Sequence, residues 1–287
     1  MKTNLSSICF LPLCIFLLSP GCSSQNTPAL EFLWETPSDF RVPESVCYDL
    51  AGNRLFVSNV DGDPAEEDSS GFISIISLDG KIINLHWVDG LNAPKGMGIF
   101  DGKLYVTDIT RVAEIDIAKG KILAFYKAEG AEFLNDISIS VDGNIFISDS
   151  NTNRIYRLKD GVIELWMQCD ELKGANGLLV EDDMLNMVSF ANGNFYKIDI
   201  RTKKATLFAR GLGAGDGLET CKNGDYLVSN WNGSINYVRK DSEVIELLNT
   251  EKDKINAADI DFILSESLLV VPTFYDNRIR AYRLEYH

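Results

Sequence analysis

Residues 135–166, NDISISVDGNIFISDSNTNRIYRLKDGVIELW, decide the fold. The stretch breaks into four short alternating runs at 137–141, 145–149, 154–158 and 162–166. Between them stand Asp142-Gly143-Asn144, the polar residues 150–153 and Lys159-Asp160-Gly161. Asp-Gly pairs flanked by alternating apolar residues are strong hairpin signals, because Gly and Asn tolerate the positive φ of tight turns. Alternation with a period of two is the mark of a half-buried strand. The unit therefore reads as a four-stranded antiparallel meander.

Working outward, the same unit recurs. NGLLVEDDMLNMVSFANGNFYKIDI begins at Asn176 and DGLETCKNGDYLVSNWNGSINYVRK at Asp216. Further copies start at Glu44, Lys95 and Ala258. Starts at 44, 95, 135, 176, 216 and 258 are separated by 51, 40, 41, 40 and 42 residues. Four strands per unit at such even spacing predict an all-β, six-bladed β-propeller of four-stranded antiparallel blades. A sandwich does not predict that regularity. The sixth unit holds only three strands before the chain reaches His287, while residues 29–35, ALEFLWE, form an unassigned strand ahead of the first unit. Placed as the outer strand of the sixth blade, this N-terminal strand closes the ring and removes an open edge. Residues 29–287 then make one domain. The long first interval comes from an acidic insertion, residues 61–70, after the second strand of unit one. In a meander that position lies on the same face as the unit starts, as a lid over it. Asp61-Gly62-Asp63 lacks the remaining elements of an EF-hand loop and reads as a solvated turn.

Charge and composition exclude several functions. The 287 residues carry 27 Lys+Arg and 42 Asp+Glu, a formal charge of −15. Such acidity argues against nucleic-acid partners, which need clustered cations, and against electrostatic attraction to anionic lipid. With two histidines, His86 and the terminal His287, a His-rich zinc site, a Ser-His-Asp triad and a Cys-His dyad are all disfavoured.

Residues 1–22 read as an export signal. Lys2 precedes an apolar run at 8–18 that is too short to span a bilayer. Leu18-Ser19-Pro20-Gly21-Cys22 resembles a bacterial lipobox, with Ser19 at the position where an aliphatic residue is usual. That resemblance implies diacylation and N-terminal exposure of Cys22, a linker at 23–28, and membrane contact only through the lipid anchor. It places the protein in the bacterial cell envelope, on the outer membrane, facing the periplasm or the surface. Cys47, Cys169 and Cys221 are widely spaced and offer neither a disulfide framework nor a metal set; they read as small buried apolar residues.

Equivalent positions in a propeller converge on its axis. The unit starts Glu44, Asn135, Asn176 and Asp216 would thus gather four oxygen-bearing side chains, two of them carboxylates. Such a set suits a hard divalent cation, Ca²⁺ first, with Mn²⁺, Mg²⁺ or Zn²⁺ as substitutes. Asn176-Gly177 and Asp216-Gly217 are equally good turn dipeptides, and on composition alone the two readings are balanced. Glu44, which has no special turn role, favours the first.

Over nearly the whole mature length the chain resembles the regucalcin, senescence marker protein and gluconolactonase family of six-bladed propellers. The resemblance is carried by Glu44 opening the first unit, Asn135-Asp136 the third, Asn176-Gly177-Leu178 the fourth and Asp216-Gly217-Leu218 the fifth. It implies that Glu44, Asn176 and Asp216 are direct metal ligands and that Asn135 is a ligand or a substrate contact. It also implies metal-dependent hydrolysis of a lactone or similar cyclic ester, with Asp216 orienting or deprotonating water. Two departures bear on substrate. The family's Glu-Gly-Pro opening is Glu44-Ser45-Val46, and the Arg that holds sugar hydroxyls in its lactonases is replaced by Phe133. Losing a five-donor guanidinium weighs against a polyhydroxylated substrate. Phe190, Trp231, Phe274 and Tyr275 follow second strands and belong at the mouth, where they suggest a more apolar small molecule. Lys95 is either a contact for a substrate carboxylate or a surface lysine. The alternative from another class is a non-catalytic, metal-containing module that binds a protein or glycan partner on the envelope.

Overall fold

A computed structural model describes residues 27–168 and 170–287. The signal segment, Cys22 and Cys169 lie outside the described residues.

The described residues form 24 strands in six sheets of four. β1 (Pro28–Glu35) precedes the first blade, which comprises β2 (Pro43–Asp49), β3 (Arg54–Asn59), β4 (Gly71–Ile76) and β5 (Ile82–Leu91). The second blade is β6 (Pro94–Phe100), β7 (Lys103–Asp108), β8 (Arg111–Asp116) and β9 (Lys121–Lys127). The third is β10 (Leu134–Ile139), β11 (Ile145–Asp149), β12 (Arg154–Lys159) and β13 (Val162–Gln168). The fourth is β14 (Ala175–Glu181), β15 (Met184–Ser189), β16 (Phe195–Asp199) and β17 (Ala205–Ala209). The fifth is β18 (Gly215–Thr220), β19 (Tyr226–Asn230), β20 (Ser234–Val238) and β21 (Val244–Asn249). The sixth is β22 (Asp261–Ile263), β23 (Leu268–Pro272) and β24 (Ile279–Tyr286), completed by β1 in the order β1-β24-β23-β22. The fold is the six-bladed propeller expected from the repeat, closed by its N-terminal strand.

Closure is a long antiparallel ladder, from Pro28 opposite Tyr286 to Glu35 opposite Arg280. Beyond it Thr27 and His287 exchange backbone hydrogen bonds of 2.8 and 3.1 Å. The first strand of the third blade differs from expectation. The first run of the third blade begins at Leu134 and ends at Ile139, so Val141 falls in the following turn and is fully exposed.

Strict alternation explains the packing. Leu55 and Val57 of β3 point into an apolar cluster shared with Val270 and Ala281 of the sixth blade. Phe56, between them, points into the cluster shared with Leu104 and Val106 of the second. Six such clusters separate six successive pairs of blades. Both faces of every middle strand are therefore buried, and each blade is stable only between two neighbours. A rigid ring of this kind fixes the inner strands against one another around the axis.

Candidate functional site

Glu44, Lys95, Asn135, Asn176 and Asp216 each lie one position inside an inner strand, and in a distorted part of it. Pairing shifts register between Pro43 and Val46, Pro94 and Met97, Leu134 and Ile137, Ala175 and Leu178, and Gly215 and Leu218. In five blades an extra residue is thus accommodated at Glu44-Ser45, Lys95-Gly96, Asn135-Asp136, Asn176-Gly177 and Asp216-Gly217. A bulge of this kind bends the strand and re-aims a side chain. In the first, third and fifth blades the backbone N–H that the bulge removes from the ladder finds a hydroxyl on the second strand. Ser45 N donates to Ser58 Oγ at 2.9 Å, Asp136 N to Ser148 Oγ at 2.9 Å and Gly217 N to Ser229 Oγ at 2.7 Å. The hydroxyls then tie neighbouring blades, as Ser229 Oγ donates to the Ala258 carbonyl at 2.7 Å and Thr107 Oγ1 to that of Asn135 at 2.6 Å.

The bulges also settle the ambiguity of the Asn-Gly and Asp-Gly pairs. Neither Gly177 nor Gly217 adopts positive φ, so neither is there for a turn. A β-carbon on Gly177 would sit 2.0 Å from the Asp216 carbonyl oxygen, and one on Gly217 would sit 2.4 Å from Ile260 N. The glycines are required because adjacent inner strands approach closely at the channel. Gly177→Ala is expected to destabilise the protein by about 3 kcal/mol, read as a shift in the urea midpoint, with no polar group lost.

Glu44, Lys95, Asn135, Asn176 and Asp216 line one cavity of about 740 Å³, and all five are between 1% and 7% exposed. Ala258 does not line it. Asn176 Nδ2 donates to Asp216 Oδ1 at 2.9 Å. A carboxylate only accepts, so this contact fixes the amide orientation and turns Asn176 Oδ1 away from Asp216. Asn176 Oδ1, Asn135 Oδ1 and Glu44 Oε2 are buried without any hydrogen-bond partner. Leaving such acceptors unsatisfied costs about 1–3 kcal/mol each, a cost that a cation would remove. Burial, followed by the charge of Asp216, pushes the Glu44 carboxyl well above its ordinary range. Burial and then the charge of Asp259 do the same to Asp216. Two amides and two carboxylates fit a hard divalent cation on chemistry. Among the described residues no group of three or more His, Cys, Asp and Glu is arranged to hold a metal.

Below the mouth the channel carries more carboxylates, which the repeat comparison missed. Asp136 accepts from the backbone of Leu178 and of Ile137, each at 2.6 Å. Asp259 accepts from Ser45 Oγ at 2.6 Å, and Asp261 from Tyr48 N at 2.6 Å. Burial raises Asp136 to about 7 and Asp261 to about 6, and raises Asp259 and Glu219 well above the usual range. The signal was present in the columns one and three residues after each unit start, which align Asp136 with Asp259 and Glu219 with Asp261.

Lys95 is not a surface lysine. It is 1% exposed, its Nζ donates to the carbonyls of Pro64 at 2.9 Å and Ala93 at 3.0 Å, and it stands 4.3 Å from the Phe133 ring centre. Burial lowers its pKa to about 8, an effect that Glu44 partly opposes. Pro64 belongs to the acidic insertion, whose base is closed by Ser70 Oγ on the Asp61 carbonyl at 2.6 Å. The insertion therefore covers the first-blade side of the cavity, as its place in the repeat predicted. Phe133 forms part of the wall. Trp231 does too, at the hub of an aromatic group containing Phe190, Phe274 and Tyr275. His86 lies on outer strand β5, stacked on Phe72 at 4.0 Å and paired with Asp89 at 2.7 Å. Cys47 is half-buried and Cys221 buried, both as free thiols.

No family model matches the sequence, and no curated protein matches it. Solved structures do. A catalytically inactive His-to-Ala variant of virginiamycin B lyase from Staphylococcus aureus, with quinupristin, is 15% identical with a TM-score of 0.64, over 91% of this chain and 100% of that one. A streptogramin B lyase is 12% identical with a TM-score of 0.66, over 91% of this chain and 98% of that one. A protein provisionally named a gluconolactonase is 14% identical with a TM-score of 0.64, over 91% of this chain and 93% of that one. At these identities the likeness is one of fold.

Proposed function

We propose that the protein is a metal-dependent hydrolase of a lactone or similar cyclic ester. One observation carries this reading: buried oxygen acceptors without partners on Glu44, Asn135 and Asn176 share a cavity with the Asp216 carboxylate. Glu44, Asn176 and Asp216 would hold the cation, and Asn135 would hold it or the substrate. A divalent cation bound there supplies Lewis-acid polarisation of the ester carbonyl. Asp216 orients the attacking water and accepts its proton, while Asn176 fixes the carboxylate through the bond to its Oδ1. Among the described residues Asn176 is the only side chain that hydrogen-bonds Asp216, so the carboxylate keeps capacity for water. Phe133 and the insertion shield the centre from bulk solvent.

The comparison with the lyases sharpens this choice. In the S. aureus lyase a histidine-to-alanine variant is catalytically inactive, whereas both histidines here lie off the cavity. In this reading proton transfer is assigned to the Asp216 carboxylate.

Export and lipidation at Cys22 complete the proposal. β1 begins at Pro28 beside Tyr286, at the end of β24 remote from the mouth-side residue Phe274. A tether running back to Cys22 would leave the rim opposite the cavity, so that the cavity faces away from the anchoring membrane. The test is calorimetric titration of chelated full chain with Ca²⁺, Mn²⁺, Mg²⁺ and Zn²⁺, followed by a panel of aliphatic and sugar lactones with each ion. Micromolar binding and turnover are expected with at least one ion. Tight binding with no turnover would instead favour the envelope-binding module.

A further inference from the structure

The cavity is larger and more apolar than an oxygen cluster alone requires. Opposite the insertion, Trp231 makes edge-to-face contacts with Phe190, Phe274 and Tyr275 at centroid distances of 6.3, 5.7 and 6.0 Å. These rings come from three blades, each in the loop after a second strand. Their loops are held independently of one another. Phe190 N donates to the Gly174 carbonyl at 2.8 Å, Trp231 N to that of Ala214 at 2.9 Å, and Asn256 Nδ2 to that of Trp231 at 2.8 Å. Phe274 is buried in a left-handed conformation, φ 47°, which a bulky residue rarely adopts. It is kept there by Asn277, whose N–H donates to the Phe274 carbonyl at 3.0 Å and whose Oδ1 accepts from Val42 N at 2.8 Å. Backbone strain maintained at a cavity wall marks a surface shaped for binding.

Two of these rings remain open to water, with Tyr275 61% and Phe190 40% exposed. We infer that the Phe190–Trp231–Phe274–Tyr275 wall is a subsite for an extended apolar arm, acyl or aryl, carried by the cyclic ester. The arm would run from the oxygen cluster across blades four to six, covering the exposed faces. A volume of about 740 Å³ suits a drug-sized ligand and far exceeds what a lone sugar lactone would fill. A polyol pressed on these four rings would leave hydroxyls unpaired there; the charged residues that line the cavity, Glu44, Lys95, Asp170, Lys173 and Asp216, lie outside this aromatic group. The head group of this assignment rests on the hydrolase reading; the arm's binding does not depend on turnover.

The test therefore uses lactams, which bind without being hydrolysed. Full-length protein is titrated with unsubstituted, butyl, hexyl and octyl γ-lactams and with gluconolactam, following tryptophan fluorescence. Affinity should rise about fourfold per buried methylene, by roughly two orders of magnitude over four of them. Trp231→Phe should remove the spectral response, and Tyr275→Ala, at an exposed position, should flatten the dependence on chain length. Alkyl and sugar lactams binding alike would overturn the inference, as would an unchanged slope in the Tyr275 variant. A steep slope with no lactone turnover under any cation would leave the subsite standing and remove the hydrolase reading. Turnover of sugar lactones with a flat slope would do the reverse.

Discussion

Asp216→Ala is expected to reduce calcium affinity by at least about a hundredfold and to bring lactone turnover to background. Glu44 and Asp216 are the two carboxylates of the proposed ligand set, so the loss of Asp216 halves the carboxylate charge that this set offers to a divalent ion. It also accepts the amide of Asn176, and the alanine variant strands that buried donor at a cost of about 1–3 kcal/mol. Asp216→Asn separates the two effects. The asparagine keeps an oxygen for Asn176 and nearly the same volume, so the melting temperature of the chelated protein should stay near that of the parent or rise as a buried charge disappears. Calcium binding should nevertheless be lost. Calorimetry on both variants, alongside turnover with the best lactone, checks this. An Asp216→Ala protein that hydrolyses lactones without metal would end the assignment.

Much of this site could be read at the level of the repeat. Glu44, Asn135, Asn176 and Asp216 stand at equal phase in units about 40 residues long, and a ring must bring equal phases together. Ring closure by residues 29–35 was legible for a similar reason: a sixth unit one strand short and a first strand without a partner leave a single economical pairing. Local chemistry was harder. A strand read by strict alternation has no place for a bulge, so the second-strand hydroxyls of Ser58, Ser148 and Ser229 carried no recognisable role. Asp136 and Asp259, one residue past the unit starts, were hidden for the same reason.

The burial of Lys95 could not be read from its own unit, since lysine is almost never fully buried. Its burial depends on a carbonyl contributed from 31 residues earlier, by an insertion absent from the other units. Phe133, from the next blade, supplies the ring under the ammonium. Neither partner is visible at the level of one unit. The Asn-Gly and Asp-Gly dipeptides were undecidable for a different reason, since a turn and a close strand approach both select glycine. The absence of positive φ and the 2.0 Å and 2.4 Å clearances at Gly177 and Gly217 distinguish them.

The channel carboxylates lead to a second large effect, on stability. Glu44, Asp136, Asp216, Glu219, Asp259 and Asp261 all have carboxyls raised by burial, with Lys95 the one ammonium that lowers Glu44 again. A raised carboxyl binds its proton in the folded chain at pH values where the unfolded chain has released it. The stability it contributes is full below the unfolded value near 4 and is lost as pH rises through the folded values, about 6 for Asp261 and about 7 for Asp136. Lys95, lowered to about 8, acts with the opposite sign: its charged form is the unfavourable one, and relief comes only above that pH. Exposed carboxylates held low, such as Asp79 and Asp142 at about 2, lose their contribution only below pH 4. Between pH 5 and pH 8 the buried acids dominate. Chelated protein should therefore melt about 10 °C lower at pH 8 than at pH 5, equivalent to a few kcal/mol for a chain of this size. Millimolar Ca²⁺ should restore most of the difference at pH 8 and little at pH 5, because the ion replaces at Glu44 and Asp216 the protons that rising pH removes. Asp136→Asn, which keeps an acceptor for the Leu178 amide, should flatten the pH slope of the chelated protein. Differential scanning calorimetry across the range decides the matter: a melting temperature independent of pH without metal would mean that these carboxylates do not titrate with raised values in the folded chain.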